Sequence, residues 1–494
     1  MNLLESYKNR LAISESVHQR SHNGAKMSAG KKLMIASVLN NTSKFMNEAF
    51  DNSAATQRSA LGDFKKFCLN VSTVALPNLI LPELMMTQPM TSITGYITYL
   101  RYTTGINKGG VKAGEMINSP YMLGNMTPER VEFTSDRVVE TLGDDLTLMW
   151  TPVAKIVKAT RDGEKVDLAN VKVDAEGKVT GLQAGDKVAY IYNNEIIPQF
   201  KNNKENEGTS FNSIPTLKAS MNGIALRAHA RRIAVYYSQI AAFQAKTDYG
   251  YDLGENLATQ AQGELAYEID TEGVMMLING AEKEDALTFN SYEAVHGNTA
   301  AYISRSQYYE QFSEILARAK QVLYRRTQKF APNYMICGSN ILTILPYLKG
   351  WTAASVSTIN GPYFAGTVDG LKVFVSPAIG VNEYVFGVNG TDLQTSAAVY
   401  APYMAIVPTQ LLGFADGTMS QGFSTMYDMK LLSTYNVVDG KRVDVVLNGG
   451  DPDTGDLPEI GQYSWLLVKG EMNTVPPAED AVAPVEPDDT TDSE

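Results

Sequence analysis

The stretch STVALPNLILPELMMTQPMTS, Ser72 to Ser92, limits what this chain can become more than any other. It is strongly apolar, yet Pro77, Pro82 and Pro89 punctuate it, and Asn78, Glu83 and Gln88 lie inside it. A membrane-spanning helix needs about 20 apolar residues, and a proline in a helix interior costs about 3 kcal/mol. The residue before each proline is also pushed toward extended backbone. The run therefore reads as short apolar pieces of strand and turn, and no membrane association is expected from it.

A chain of 494 residues is longer than one core serves, since single cores stop growing near roughly 250–300 residues. Two or more lobes are expected. Apolar residues make up 44% and charged residues 19%, which describes a folded chain with a rather neutral surface, suited to hiding in contacts. The formal charge of −12 argues against a protein that grips nucleic acid, because phosphate binding needs clustered Lys and Arg. Cys68 and Cys337 both sit in apolar runs, which points to reduced folding without a disulfide framework. The opening MNLLESYKNRLAISESVHQR has no continuous apolar core of a signal peptide, so synthesis and folding in a cytoplasm are expected.

From residue 1 to 74 the chain reads as a polar, helical arm rather than a core, with Leu33, Ile35, Val38, Phe45, Met46 and Phe50 at roughly helical spacing. Residues 75–150 carry the proline run and then SITGYITYLRYTTG, a strand leading to the glycine-rich loop GINKGGVKAGEM. Residues 151–205 change texture to short Val-rich strands separated by RDGE, AEGK and QAGD, a compact all-β insertion. In NGIALRAHARRIAVYYSQ, Leu226, Ala228 and Ala230 alternate with Arg227, His229 and Arg231, giving a strand with one basic face. Leu253, Leu257, Ala261, Leu265, Ile269 and Met276 mark one stripe of a long amphipathic helix within 206–330. SQYYEQFSEILARAKQVLYRRTQ reads as a second long helix. Residues 331–396 hold NYMICGSNILTILPYL (strand, turn, helix) and two buried strands, 397–470 return as strands, and the acidic 471–494 reads as disordered.

Catalytic patterns are scarce. The chain has 4 histidines with no metal-ligand spacing among them, and it lacks a nucleophile elbow and a phosphate-binding glycine loop. Asp144/Asp145 and Asp451/Asp453 are paired acids; NGGDPDTGD has some likeness to a Ca²⁺ loop but not its spacing, and reads as a solvated turn. The basic residues Arg227, Arg231 and Arg232 are expected to pair with carboxylates of a neighbouring element or subunit. No cofactor, metal or catalytic residue is assigned.

Several colinear pieces carry a family likeness. ALPNLILPELMMTQPMTSITGYITYLRY (75–102), ALRAHARRIAVYYSQ through GVMMLING (225–280), GTVDGLKVFVSPAIG, AAVYAPYMAIVPTQ (397–410) and SWLLVKG resemble the major capsid proteins of large tailed bacteriophages of the T-even type. The resemblance implies an α+β chain of the Hong Kong 97-type capsid fold. It would have an N-terminal arm, an E-loop hairpin, a peripheral domain with a long spine helix, an axial domain and, departing from the minimal fold, the β-rich insertion, whose GKVTGLQAGDKVAYI resembles an immunoglobulin-like sandwich. Such a chain would form hexamers in an icosahedral shell around packaged dsDNA. Its partners would be copies of itself, a vertex protein, a portal, a scaffold with a maturation protease, and decoration proteins. Leu79, Ile80, Leu84, Met85, Arg227, Arg231 and Arg232 are then the candidate intersubunit contacts, and Glu5 and Glu48, which end apolar-x-Glu triplets, are candidate sites of maturation cleavage. Lys108 and Lys112 are conceivable crosslinking donors, with noncovalent assembly the expected state. The rival readings are a pentameric vertex paralogue, an encapsulin-like shell, and a cytosolic carbohydrate-active enzyme using Asp144, Asp145 or the Asp451 loop.

Overall fold

A computed structural model of the chain describes residues 3–21, 24, 26–51, 69, 73, 76–104, 131–133, 137–151, 153–174, 177–192, 217–250, 253–296, 303–327, 330–354, 361–390, 395–409, 411–438, 441–444 and 461–474. Cys68, Lys108, Lys112, Asp451, Asp453 and most of the acidic end lie outside these residues.

Two sheets organise the body. The first runs β1 (Met86–Thr87), β18 (Ala398–Pro408), β20 (Thr418–Leu431), β11 (His229–Ser238), with β19 (Leu412–Gly413) also on β20. The second has seven strands: β12 (Glu282–Asn290), β24 (Leu467–Asn473), β17 (Glu383–Gly387), β13 (Tyr334–Cys337), β16 (Leu371–Val375), β15 (Tyr363–Val368) and β14 (Thr352–Ala353). Its central strands are runs of Val, Ile, Phe and Tyr with every residue of β13 buried, as a strand covered on both faces requires. A smaller sheet of β21 (Thr434–Val438), β22 (Lys441–Asp444) and β23 (Gln462–Ser464) flanks them.

Leaving the body is a two-stranded ribbon. β2 (Thr94–Thr104) pairs antiparallel with β10 (Leu217–Arg227) over their whole length, from Thr94↔Arg227 to Thr104↔Leu217. Between these limbs in sequence lies a separate β unit: β3 (Val131–Phe133), β4 (Val138–Thr141), β9 (Lys187–Tyr192), β5 (Val153–Arg161) and β6 (Glu164–Lys165) in one sheet, with β7 (Lys172–Val173) and β8 (Val179–Thr180) as a hairpin. It buries its own core of Val138, Leu142, Leu148, Ala159, Val179, Leu182, Val188 and Tyr190. Its sheet recruits 131–133 and 138–141, so it extends upstream of the Thr151 start read from texture. Gly143–Asp144, directly after 138–141, is a turn signal of the same kind as the QAGD that marks the later strands.

The helices are α1 (Leu3–Ser6), α2 (Lys8–Ser21), α3 (Ala29–Asp51), α4 (Leu81–Leu84), α5 (Gln239–Tyr249), α6 (Leu253–Asn279), α7 (Tyr292–His296), α8 (Arg305–Glu310), α9 (Phe312–Thr327) and α10 (Ser339–Ile344). α6 buries Ala261, Leu265, Ile269 and Met276 as the stripe predicts; Ala261 and Leu265 meet Ile406 and Phe423 of the first sheet. The expected single helix over 306–328 is broken at Gln311, where the bonds tighten to three-residue spacing, Gln311 N–H to Tyr308 O and Glu314 N–H to Gln311 O. The N-terminal helices are not a free arm. Met34, Ile35, Val38 and Leu39 of α3 are fully buried in the main core, and α3 lies along β18.

Candidate functional site: the junction seat

The proline run, α2, α3, α6 and β18 converge at one place. The proline spacing folds Leu76–Asn78 into a 3-10 turn and Leu81–Leu84 into one helical turn with Pro82 in its first positions, where a missing N–H costs nothing. Leu79, Ile80, Leu84 and Met85 are buried to 3% exposure or less within their own subunit. Packed against their own α3 and α6, these residues expose almost no surface on the single chain. Apolarity announces burial but does not say against which chain.

α6 receives the junction through two residues. Asp270 is buried, and its carboxylate accepts the backbone N–H of Ile80 (3.2 Å) and of Leu81 (3.3 Å), taking up orphan donors at the start of α4. Desolvation pushes its carboxyl up to about 7, against the lowering effect of those N–H groups and of Lys31. One turn further on, a Cβ on Gly273 would stand 2.3 Å from Leu81 Cδ2. Glycine weakens a helix interior by roughly 0.5–1 kcal/mol relative to Ala, and here that cost admits Leu81.

On the other side of the junction Lys31 of α3 points inward with a side chain 2% exposed. Its Nζ donates to Leu79 O at 3.2 Å and lies 3.3 Å from His18 Nδ1. Burial pulls the ammonium down to about 8, against the raising effect of Glu83 and Asp270. Glu83 gathers basic side chains from three elements: Lys372 of β16 at 3.0 Å, Lys31 at 3.9 Å and His18 of α2 at 4.0 Å. Asn41 of α3 donates to Met90 O at 2.7 Å and Tyr403 O at 3.1 Å, and Thr42 Oγ1 accepts Ala405 N–H at 3.2 Å. These bonds fall where β18 loses register with β20, between Pro402 and Val407, so α3 satisfies backbone that the irregular strand leaves to it.

The basic strand divides differently from its reading. Ala228 is buried between β10 and β11 and Ala230 is exposed, so the alternation breaks at the corner. Arg231 pairs with Glu272 of α6 at 2.7 Å and lies 5.4 Å over the Tyr427 ring, while the hydroxyl of Tyr427 donates to the same carboxylate. Arg227 and Arg232 are exposed, and Arg227 N–H reaches Asp428 at 2.8 Å. Sequence reasoning missed Arg326 of α9, which is buried and binds Glu282 at 3.1 Å, Glu284, and Leu467 O at 3.3 Å. It also passed over His18, Lys31 and Glu83. The signal available was charge on buried stripes: Lys31, Lys32 open an apolar helix, and Asp270 adjoins Ile269 on the long one.

Asp144 and Asp145 stand exposed on a turn. Among the described residues no group of three His, Cys, Asp or Glu is placed to hold a metal ion, and no helix is long and apolar enough to cross a membrane. Cys337 is buried and desolvation pushes its thiol up to about 12, far from the thiolate a nucleophile needs.

The polar chemistry of this chain thus goes into fastening one of its segments to another, which is what a structural subunit asks of its residues. The model of the family described as "Major capsid protein Gp23" matches residues 61–449, and the chain belongs to that family. As a major capsid protein it builds the phage head shell. No curated protein matches the sequence. Among solved structures the chain is similar to one from Mycobacterium phage Adephagia, with 9% identity and a TM-score of 0.34 over 81% of this chain and 91% of the other. It is also similar to the capsid of Myoviridae phage XM1, with 9% identity and a TM-score of 0.30 over 47% of this chain and 78% of the other.

Proposed function

We propose that the chain adopts the Hong Kong 97-type capsid fold and assembles into hexameric capsomers of an icosahedral shell around packaged dsDNA, in the host bacterial cytoplasm. The observation that carries this reading is the family match over residues 61–449. In it, α6 is the spine helix, the β2–β10 ribbon is the E-loop, the seven-stranded sheet belongs to the axial domain, and the β unit of 131–192 is the outward insertion. The role is structural rather than catalytic, and the surroundings are a vertex protein, portal, scaffold and decoration proteins. Arg227 and Arg232 are exposed and contribute to contacts between copies, in head-to-tail interfaces closed by symmetry.

Concentrating the purified full-length chain and imaging it by electron microscopy tests the reading. Rings of six, sheets or closed shells are expected; a species that stays monomeric at every concentration overturns it. Processing after Glu5 or Glu48 belongs to the same proposal. Glu5 lies in α1 and Glu48 in α3, so a protease that needs extended backbone reaches them before these helices dock. Mass spectrometry of assembled particles is expected to read a chain starting at Ser6 or Ala49, and a terminus at Met1 or Asn2 removes the idea.

A further inference from the structure

The junction seat opens into a cavity of about 660 Å³ lined by His18, Lys26, Lys31, Glu83 and Lys372 together with neutral residues. Three lysines against one carboxylate leave a formal charge of +2 with the histidine neutral, in a chain whose total is −12. The cavity reverses the sign of the protein that contains it. Its cations come from separate pieces of chain: Lys26 precedes α3, Lys31 lies in the first turn of α3, and Lys372 sits on β16. Ser28 also lines the wall, where its hydroxyl accepts Lys31 N–H at 3.2 Å and begins the 23-residue α3. The positive end of that helix dipole therefore faces the same space.

Glu83 shows what the site accepts. Its carboxylate already sits within 4.0 Å of Lys372, Lys31 and His18, so the lining is arranged around oxygen anions, and one carboxylate does not neutralise it. Lys31 is buried with its ammonium pulled down to about 8, and a second anion offsets that desolvation by Coulombic attraction, as Glu83 already does. Lys372 is half exposed at the mouth, 51% for its side chain, and Lys26 is exposed.

We propose that this cavity binds a phosphate-type oxyanion between Lys26, Lys31 and Lys372, and that the bound anion staples the N-terminal helices to the seven-stranded sheet. The dianionic charge of phosphate matches the excess of the lining. The three lysines supply a point-charge cluster whose members tolerate either free phosphate or the phosphate of a polynucleotide end. Binding to the folded chain alone raises its stability by mass action, and the N-terminal segment, which contributes two of the three lysines, gains most.

The test uses the full-length chain with inorganic phosphate titrated at constant ionic strength, chloride making up the balance. A saturable rise in the thermal midpoint is expected, with parallel slowing of proteolysis within residues 3–51. Lys26→Gln/Lys372→Gln is expected to abolish the saturable rise, and Lys26→Gln alone, which alters only an exposed side chain, to weaken apparent affinity at least several-fold. Lys155→Gln/Lys158→Gln, two exposed lysines of β5, is expected to leave it unchanged. A 5′-phosphorylated dinucleotide beside its unphosphorylated form separates the sources: protection by both inorganic phosphate and the phosphorylated form assigns a general phosphate site, and protection by inorganic phosphate alone assigns a free-ion site. An absent or non-saturable response in the wild type, or a response undiminished from wild type in the Lys26→Gln and double variants, overturns the proposal.

Discussion

At the scale of single residues, the unusual choice is to hang a structural junction on a buried acid. Asp270 is worth its desolvation because it answers two backbone donors that nothing else described reaches. The consequence is a pH dependence of definite sign. A carboxyl pushed up to about 7 in the fold, from about 3.9 in an unfolded chain, binds its proton more tightly when folded. Its contribution to stability is fully present below the unfolded value and is lost as pH rises through about 7. Lys31, pulled down to about 8, works oppositely: its contribution is present above its ordinary value and is lost as pH falls through about 8. Asp270→Asn removes the first of these. Chemical denaturation from pH 4.5 to 8 is expected to show wild-type stability falling relative to the variant as pH rises; parallel pH profiles would refute the assignment. Little of this was legible in advance. Glu264, Glu268, Asp270 and Glu272 lie close together in the sequence, but Asp270 departs from Glu264 and Glu268 only by falling on the buried side of the helix, next to Ile269.

At the scale of elements, the long periodic pieces declared themselves and the short exchanges between them did not. The α6 stripe and the strands around Met335, Val373 and Val385 needed only periodicity and apolar runs, since each buries enough side chains to be read alone. α3 had the same helical period, yet its polar residues suggested a free arm. Those polar residues are the fasteners: Asn41 and Thr42 face the irregular part of β18, where a side-chain amide replaces a missing strand partner. Removing one leaves buried carbonyls without donors, at about 1–3 kcal/mol. Asn41→Ala is accordingly expected to lower the free energy of unfolding by that amount and to speed proteolysis of α3; an unchanged denaturation midpoint would show that β18 does not depend on the helix. The open edge of the seven-stranded sheet follows a different logic. β12 begins Glu282, Lys283, Glu284, Asp285, and charge on an edge strand discourages unwanted strand addition, a useful property in a protein that must meet its copies only in prescribed ways.

At the scale of the whole molecule, family membership rests on residues spread from 61 to 449, and that colinearity is readable as resemblance in the sequence itself. What resisted reading was connectivity. Nothing in SITGYITYLRYTT says that its partner strand begins more than a hundred residues later, after a complete β unit, because pairing between strands depends on register and not on distance along the chain. The pairing is nonetheless tight at its far end, where Thr104 faces Leu217. Two ends held side by side can be joined by a two-residue hairpin turn. Replacing residues 105–216 with Asn-Gly is therefore expected to leave a soluble chain whose ribbon amides keep their exchange protection; loss of that protection would mean the inserted unit holds the limbs together.

Seen from the inserted unit, the same arrangement is a socket. A domain with its own buried centre, entering and leaving through adjacent backbone positions, can be lengthened, shortened or exchanged without moving a single hydrogen bond of the ribbon beneath it. The ribbon and the unit it carries are thereby inherited through different stretches of one gene, free to drift at different speeds.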